Sequence, residues 1–302
     1  MLKLRPNKNI YLLHFTIFIW GFTGILGELI SIAALPLVWY RMFLALLSLL
    51  TYFVLTGKTK FITRKKALTF MGIGTIVAAH WIFFFGSIKE STVSVGIICL
   101  SSTALFTSLL SPLLMKKKLS LLELIIALII ILGIAMIFHF ESQYQLGIIY
   151  GLIAAFMAAL FTIINEKSVK DATGSQISAY SMLGGVLIVS LVLLVSGNAS
   201  MITFDLSAMD WFWLVLLSTV CTAFAYVIGV HVMKELTAYT VVLTTNLEPI
   251  YGIILAYLFF GEQEKMTPGF YFGSLTILLA VFAFPVVKKI LNRKFNKQLP
   301  IS

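Results

Sequence analysis

Residues 234–262 read KELTAYTVVLTTNLEPIYGIILAYLFFGE, and residues 89–117 read KESTVSVGIICLSSTALFTSLLSPLLMKK. Both stretches open on a Lys-Glu pair, reach a threonine at the fourth position and continue as an apolar run, 145 residues apart. In that register Ala104-Leu105-Phe106 falls on Pro249-Ile250-Tyr251, and Lys116-Lys117 falls on Gly261-Glu262. Further out, Tyr40-Arg41-Met42 resembles Tyr180-Ser181-Met182, and Phe22-Thr23 resembles Phe161-Thr162. Each match is weak alone. Their common order along the chain points to a duplication.

The composition says what solvent the duplicated unit occupies. The 302 residues are 60% hydrophobic and only 11% charged, with a mean hydropathy of +1.02. An average soluble domain is about 25% charged, and a soluble core of this size has no room for so much apolar surface. A soluble enzyme, a disordered tail and a nucleic-acid-binding domain are thereby excluded. Apolar runs of membrane-crossing length divide the chain into ten segments, near 10–30, 36–56, 67–88, 92–114, 120–138, 146–165, 177–196, 211–230, 237–260 and 268–287. The first follows Lys3, Arg5 and Lys8 without a small-residue cleavage site and is read as a retained span. The expected fold class is an all-α membrane protein of ten transmembrane helices.

The net charge of +10 sorts by loop. With the N-terminus inside, nineteen of the 22 Lys and Arg residues fall on the cytoplasmic side, in the loops around Lys58–Lys66, Lys116–Lys118, Lys167–Lys170 and Lys234 and at both ends of the chain. Only Lys89 and Lys265 fall outside, and Arg41 lies within a span. That asymmetry is the positive-inside pattern, so both termini are expected in the cytoplasm. Each duplicated half then holds five spans. Five is odd, so the second half enters the membrane from the opposite face. This is the inverted-repeat arrangement of secondary transporters, whose central site is exposed alternately to either side. The expected halves are 1–140 and 146–290, with 291–302 as a basic cytoplasmic tail.

Trp20-Gly21 in the first span, Arg41 early in the second, and Leu247-Glu248-Pro249 followed by Leu258-Phe259-Phe260-Gly261-Glu262 carry a family resemblance, as do Gly133, Gly269 and Gly273. The chain resembles a ten-span, EamA-type member of the drug/metabolite transporter superfamily over nearly its whole length. The resemblance implies export or uptake of small metabolites such as amino acids, and a bacterial inner membrane. The first half departs from the family pattern: Ala104 stands where a proline is usual, and Lys116-Lys117 replace Gly-Glu.

A charge inside lipid costs several kcal/mol, about 2.5–3.5 for Arg or Asp on the insertion scale, so the few such residues are informative. Glu28 and Arg41 lie near the outer ends of the first two spans, where antiparallel neighbours would meet. They are read as an ion pair, either a structural lock or an outer gate with a carboxylate-binding arginine. Glu248 lies near mid-depth, after Thr245-Asn246 and before Pro249. Proline removes the N–H that would bond the Thr245 carbonyl, so the helix is expected to kink or open there. Glu248 is read as a substrate-ammonium or proton-coupling group, or else a protonated packing residue. His80, beside Trp81 at similar depth, is its candidate partner in a titrating pair, or else a hydrogen-bonded structural histidine.

Trp20, Trp81 and Tyr226 are the aromatic candidates; Trp81 and Tyr226 correspond under the 145-residue offset. Asn246, Asn165 and Thr103 are candidates for neutral hydrogen bonds, though such residues also join helices. Cys99 and Cys221 fall in apolar segments and suggest neither a disulfide framework nor a metal site. No HExxH, GxSxG or P-loop occurs, so no enzyme, metal or cofactor is expected. A single intramembrane arginine disfavours a doubly charged phosphate substrate. The expected partners are the bilayer, a small neutral, zwitterionic or cationic substrate with apolar or aromatic bulk, and protons as the coupling ion; nucleic acid is not among them. A passive facilitator, and a non-transporting sensor or assembly protein on the same fold, stay open as alternatives, as do substrate identity, direction and oligomeric state.

Overall fold

The structure, a computed structural model, describes residues 8–57, 62–115, 121–170 and 172–298. Lys3, Arg5, Lys58, Lys60 and the Lys116–Lys118 run, which enter the charge count above, lie outside the described residues. Among the described residues every regular element is a helix. In chain order they are α1 (Lys8–Gly21), α2 (Thr23–Leu29), α3 (Ala34–Thr56), α4 (Arg64–Lys89), α5 (Val93–Leu100), α6 (Thr103–Met115) and α7 (Leu121–Phe140). There follow α8 (Gln145–Ser168), α9 (Gly174–Val195), α10 (Ala208–Ser218), a π turn (Thr219–Phe224), α11 (Ala225–Val232), α12 (Ala238–Thr245), α13 (Glu248–Phe260) and α14 (Pro268–Gln298).

Eight helical segments are long and apolar enough to cross a membrane: Lys8–Leu29, Ala34–Thr56, Arg64–Lys89, Val93–Met115, Ser142–Ser168, Gly174–Val195, Ala208–Val232 and Thr240–Glu264. Two shorter apolar helices, Ile125–Phe140 and Pro268–Phe284, occupy the stretches read as the fifth and tenth spans. The chain is therefore an integral multi-pass membrane protein. In lipid the helix satisfies its own backbone, which is why these apolar runs become helices.

Several spans are interrupted. One break separates α12 from α13 at Asn246–Leu247, just before Pro249, which has no N–H to return to the Thr245 carbonyl. Another separates α5 from α6 at Ser101–Ser102, where the amides of Ser101 and Ser102 fold back on the carbonyls of Ile98 and Cys99 at 3.0 Å. No proline stands there. The two breaks, and the starts of the helices on either side of them, are 145 residues apart.

Packing joins α4 to α8 and α9, α3 to α9, and α7 to α14. Small residues set how closely these helices approach. A Cβ added at Gly74 on α4 would collide with the backbone carbonyl of Ser181 on α9, and one at Gly184 with the backbone of Met71. On the other side of the bundle, Cβ atoms at Gly133 and Gly273 would each lie within 3 Å of the other glycine's carbonyl oxygen, at 2.9 and 2.8 Å. The α7–α14 pair thus meets backbone to backbone, and none of its described residues lines the central cavity.

Gly74→Ala forces a backbone shift in the α4–α9 seam and is expected to destabilise the protein by at least the roughly 1–3 kcal/mol of an overpacked core. Gly72→Ala, where an added Cβ meets nothing within 4 Å, is expected to leave stability unchanged or slightly raised. Thermal melts of the two purified variants in one detergent check the contrast.

Candidate functional site

A cavity with about 120 Å³ of room for water centres opens among α1, α3, α4, the α5–α6 break, α8, α11 and the α12–α13 break. One water needs roughly 10–15 Å³ by this measure, so the space admits several waters or a small solute. Trp20, His80, Trp81, Thr103, Asn165, Tyr226, Asn246 and Glu248 line it, with Arg41 and Pro249. Both helix breaks deliver their ends to this space: Ser101 and Thr103 from one, Asn246 and Glu248 from the other. A broken helix turns backbone groups and short polar side chains inward, and membrane-depth irregular backbone is tolerated where it lines a cavity.

Arg41 is 1% exposed. Its Nε donates to Thr222 Oγ1 at 2.7 Å, and its guanidinium carbon sits 3.8 Å from the centre of the Trp81 ring. Nη1 is buried without a hydrogen-bond partner. Glu248 lies on the same cavity and interacts with Arg41 electrostatically, but outside ion-pair distance. One cation and one carboxylate therefore face a common space without cancelling each other by contact.

The remaining wall is aromatic and amide-bearing. Trp81 meets Tyr226 edge-on, with centroids 6.3 Å apart, so the two residues related by the 145-residue offset touch. Asn165 Nδ2 donates to the Tyr226 hydroxyl at 3.2 Å. The Oδ1 atoms of Asn165 and Asn246 and the hydroxyl of Ser101 are buried with no hydrogen-bond partner. Buried polar atoms are nearly always paired, and these three unpaired ones sit on residues that line one space.

Two expected pairings are corrected. His80 Nδ1 lies 2.8 Å from the Ala154 carbonyl oxygen; a carbonyl only accepts, so Nδ1 carries the proton. The ring is held between Phe84 and Phe161, at centroid distances of 6.2 and 5.4 Å. His80 and Glu248 share the cavity but are not hydrogen-bonded to each other. Glu28, in turn, does not meet Arg41. Its carboxylate is 3.5 Å from Lys89 Nζ, which also accepts the job of capping α2 by donating to the carbonyl of Ile30 at 2.9 Å. Arg41, on α3, instead lines the cavity and is buried.

Four carboxylates are buried among the described residues: Glu141, Asp210, Glu248 and Glu264. Three of them stitch helix ends. Asp210 accepts from the Ser31 amide and hydroxyl, both at 2.8 Å, and from the Ser207 hydroxyl at 2.7 Å. Glu264 accepts from the Val93 and Ser94 amides at the start of α5, at 2.8 and 2.9 Å. Glu141 accepts from the Thr267 amide and hydroxyl, at 2.9 and 2.7 Å. Glu248 is the exception, with no side-chain hydrogen bond to the described residues.

Thr222 was not legible as a site residue. A threonine in an apolar span is ordinary, and nothing in Thr219-Val220-Cys221-Thr222 announces a π turn. Gly229 and Met233 on the cavity wall were equally silent.

The EamA-like transporter family model matches this chain twice, over residues 7–139 and 145–284. Among curated relatives, the uncharacterized transporter YxxF of Bacillus subtilis (strain 168) is 23% identical over 256 residues, covering 82% of this chain and 80% of the relative. GDP-fucose transporter 1 of Dictyostelium discoideum is 26% identical over 171 residues, 54% of this chain and 45% of the relative. A solved crystal structure shares the fold with a TM-score of 0.66 at 13% sequence identity, over 92% of this chain and 97% of that one. With nearly its whole length matched, this multi-pass membrane chain belongs to the EamA-like transporter family.

Proposed function

We propose that the chain is a secondary transporter that moves a small amino-acid-like metabolite, zwitterionic or cationic and of aromatic or apolar bulk, by alternating access coupled to protons. It crosses the membrane ten times as two inverted five-helix repeats, 1–140 and 146–290, with both termini and the 291–302 tail in the cytoplasm of a bacterial inner membrane. The observation that carries this reading is the cavity at the two helix breaks, where Glu248 is, among the described residues, the one buried carboxylate left without a side-chain hydrogen bond. Glu248 serves as the substrate-ammonium or proton-coupling group, Trp20, Trp81 and Tyr226 as the aromatic wall, and His80, Asn165, Asn246 and Thr103 as polar contacts.

The 145-residue register of the breaks and the two consecutive family matches support the repeat. The GDP-fucose carrier among the relatives is named for a nucleotide diphosphate sugar. A cavity holding one arginine opposite a carboxylate favours a substrate of lower negative charge.

On the orientation given by the loop charges, Glu141, Asp210, Glu264 and the Lys89–Glu28 pair all lie at the outer end. Their hydrogen bonds tie that end together, and the cavity lining includes Met233 and Val241, on the cytoplasmic side in this orientation. This supports reading the conformation as closed to the outside, with the Asp210 contacts to Ser31 as an outer latch.

Radiolabelled amino acids and amines counted in proteoliposomes, with and without a pH step, test the function. Solute entry that follows the pH gradient and needs no ATP is the expected result; no movement of any solute would sink the transporter reading, and movement indifferent to the gradient would leave a facilitator. Glu248→Gln is expected to abolish the dependence of uptake on pH across a pH series. For the latch, Thr103→Cys in a background with Cys99 and Cys221 replaced should label at least tenfold faster from outside when Asp210→Ala is added, since each lost hydrogen bond to a charged group is worth about 1.5–3 kcal/mol. Labelling with an impermeant maleimide on right-side-out vesicles measures it.

A further inference from the structure

The guanidinium of Arg41 is clamped on two sides. Its plane is set by Trp81, 3.8 Å below, and its rotation within that plane by the single hydrogen bond from Nε to Thr222 Oγ1. Thr222 can accept it because its own proton is committed elsewhere. The Thr222 hydroxyl donates to the Leu217 carbonyl at 2.7 Å, five residues back rather than the usual four. That reach exists because residues Thr219–Phe224 are wound as a π turn, a local distortion that recurs at functional sites. With Nε engaged, the side edge of the guanidinium is closed to any other acceptor. The end edge formed by Nη1 and Nη2 has no hydrogen-bond partner among the described residues. Arg41 lines the same cavity as Glu248.

We propose that Thr222 is a positioning residue that, through the π turn, turns the free edge of Arg41 toward the cavity as the receptor for a carboxylate of the transported molecule. The inference rests on the transporter reading of the cavity and adds to it the group recognised opposite Glu248. Two parallel N–H donors match the two oxygens of a carboxylate. A phosphate dianion fits less well, because Glu248 supplies repulsion and no second buried arginine among the described residues balances it. A molecule with a carboxylate at Arg41 and an ammonium at Glu248 would spend both buried charges at once, with its side chain against the aromatic wall.

The test is a set of binding titrations on the purified full-length chain, read by tryptophan fluorescence, since Trp20 and Trp81 line the cavity. The probes are L-phenylalanine, L-phenylalaninamide, which lacks the carboxylate, and phenethylamine. The acid is expected to half-saturate at roughly tenfold lower concentration than the amide, the usual effect of one charge-assisted hydrogen bond. Thr222→Val should raise the half-saturation for the acid by about tenfold and leave the amide unchanged, while Thr222→Ser restores the wild-type difference. Equal weakening of acid and amide by Thr222→Val would mean a merely structural role and overturns the proposal, as does an amide that binds as well as the acid. Binding of the amide and phenethylamine without preference for the acid removes this role from Arg41 and leaves the transporter reading standing. Silence from all three probes overturns the proposal together with the amino-acid-like substrate. If Thr222→Val does not fold, Arg41→Lys replaces it: loss of the acid–amide difference supports the proposal, and its retention overturns it.

Discussion

A charge taken out of water into an apolar helical bundle must be answered by fixed dipoles or by another charge. That requirement organises this molecule. Asp210, Glu141 and Glu264 are answered by backbone amides and hydroxyls at helix ends, so their burial ties loops together. Arg41 is answered by a hydroxyl, an aromatic face and a distant carboxylate. Glu248, the first residue of α13, is the buried carboxylate without a side-chain hydrogen bond among the described residues, and it stands at the cavity.

The membrane helices were legible because apolar length is a direct reading of solvent, and the cavity wall because polar and aromatic residues stand out in such a background. Depth along a span follows from residue number, which is why Glu248, His80, Trp81 and Tyr226 all reach one space. The direction a side chain faces does not follow from depth. Arg41 and Glu28 share a level, yet α3 turns Arg41 inward and leaves Glu28 to Lys89. His80 sits at the level of Glu248, yet the Ala154 carbonyl is nearer. The π turn was hidden for a different reason: it depends on a helix gaining one residue, which no side-chain pattern in 219–224 encodes.

The two ends of the bundle differ in how they are held. At the end of Ser31, Lys89 and Asp210, contacts run between segments far apart in sequence. At the other end the comparable contacts among the described residues include the Ala238 amide donating to Glu166 at 3.0 Å, at the start of α12, and Lys167 Nζ donating to the Leu114 carbonyl.

The α5–α6 and α12–α13 interruptions coincide in register but not in chemistry. Pro249 can never supply an amide, so its elbow is permanent. Ala104 retains one, at present stretched across 3.4 Å to the Ser101 carbonyl, and nothing in Ser101-Ser102-Thr103 forbids a continuous ladder. One arm of the molecule is therefore bent by covalent structure, while its counterpart keeps the amide that a straight helix would use.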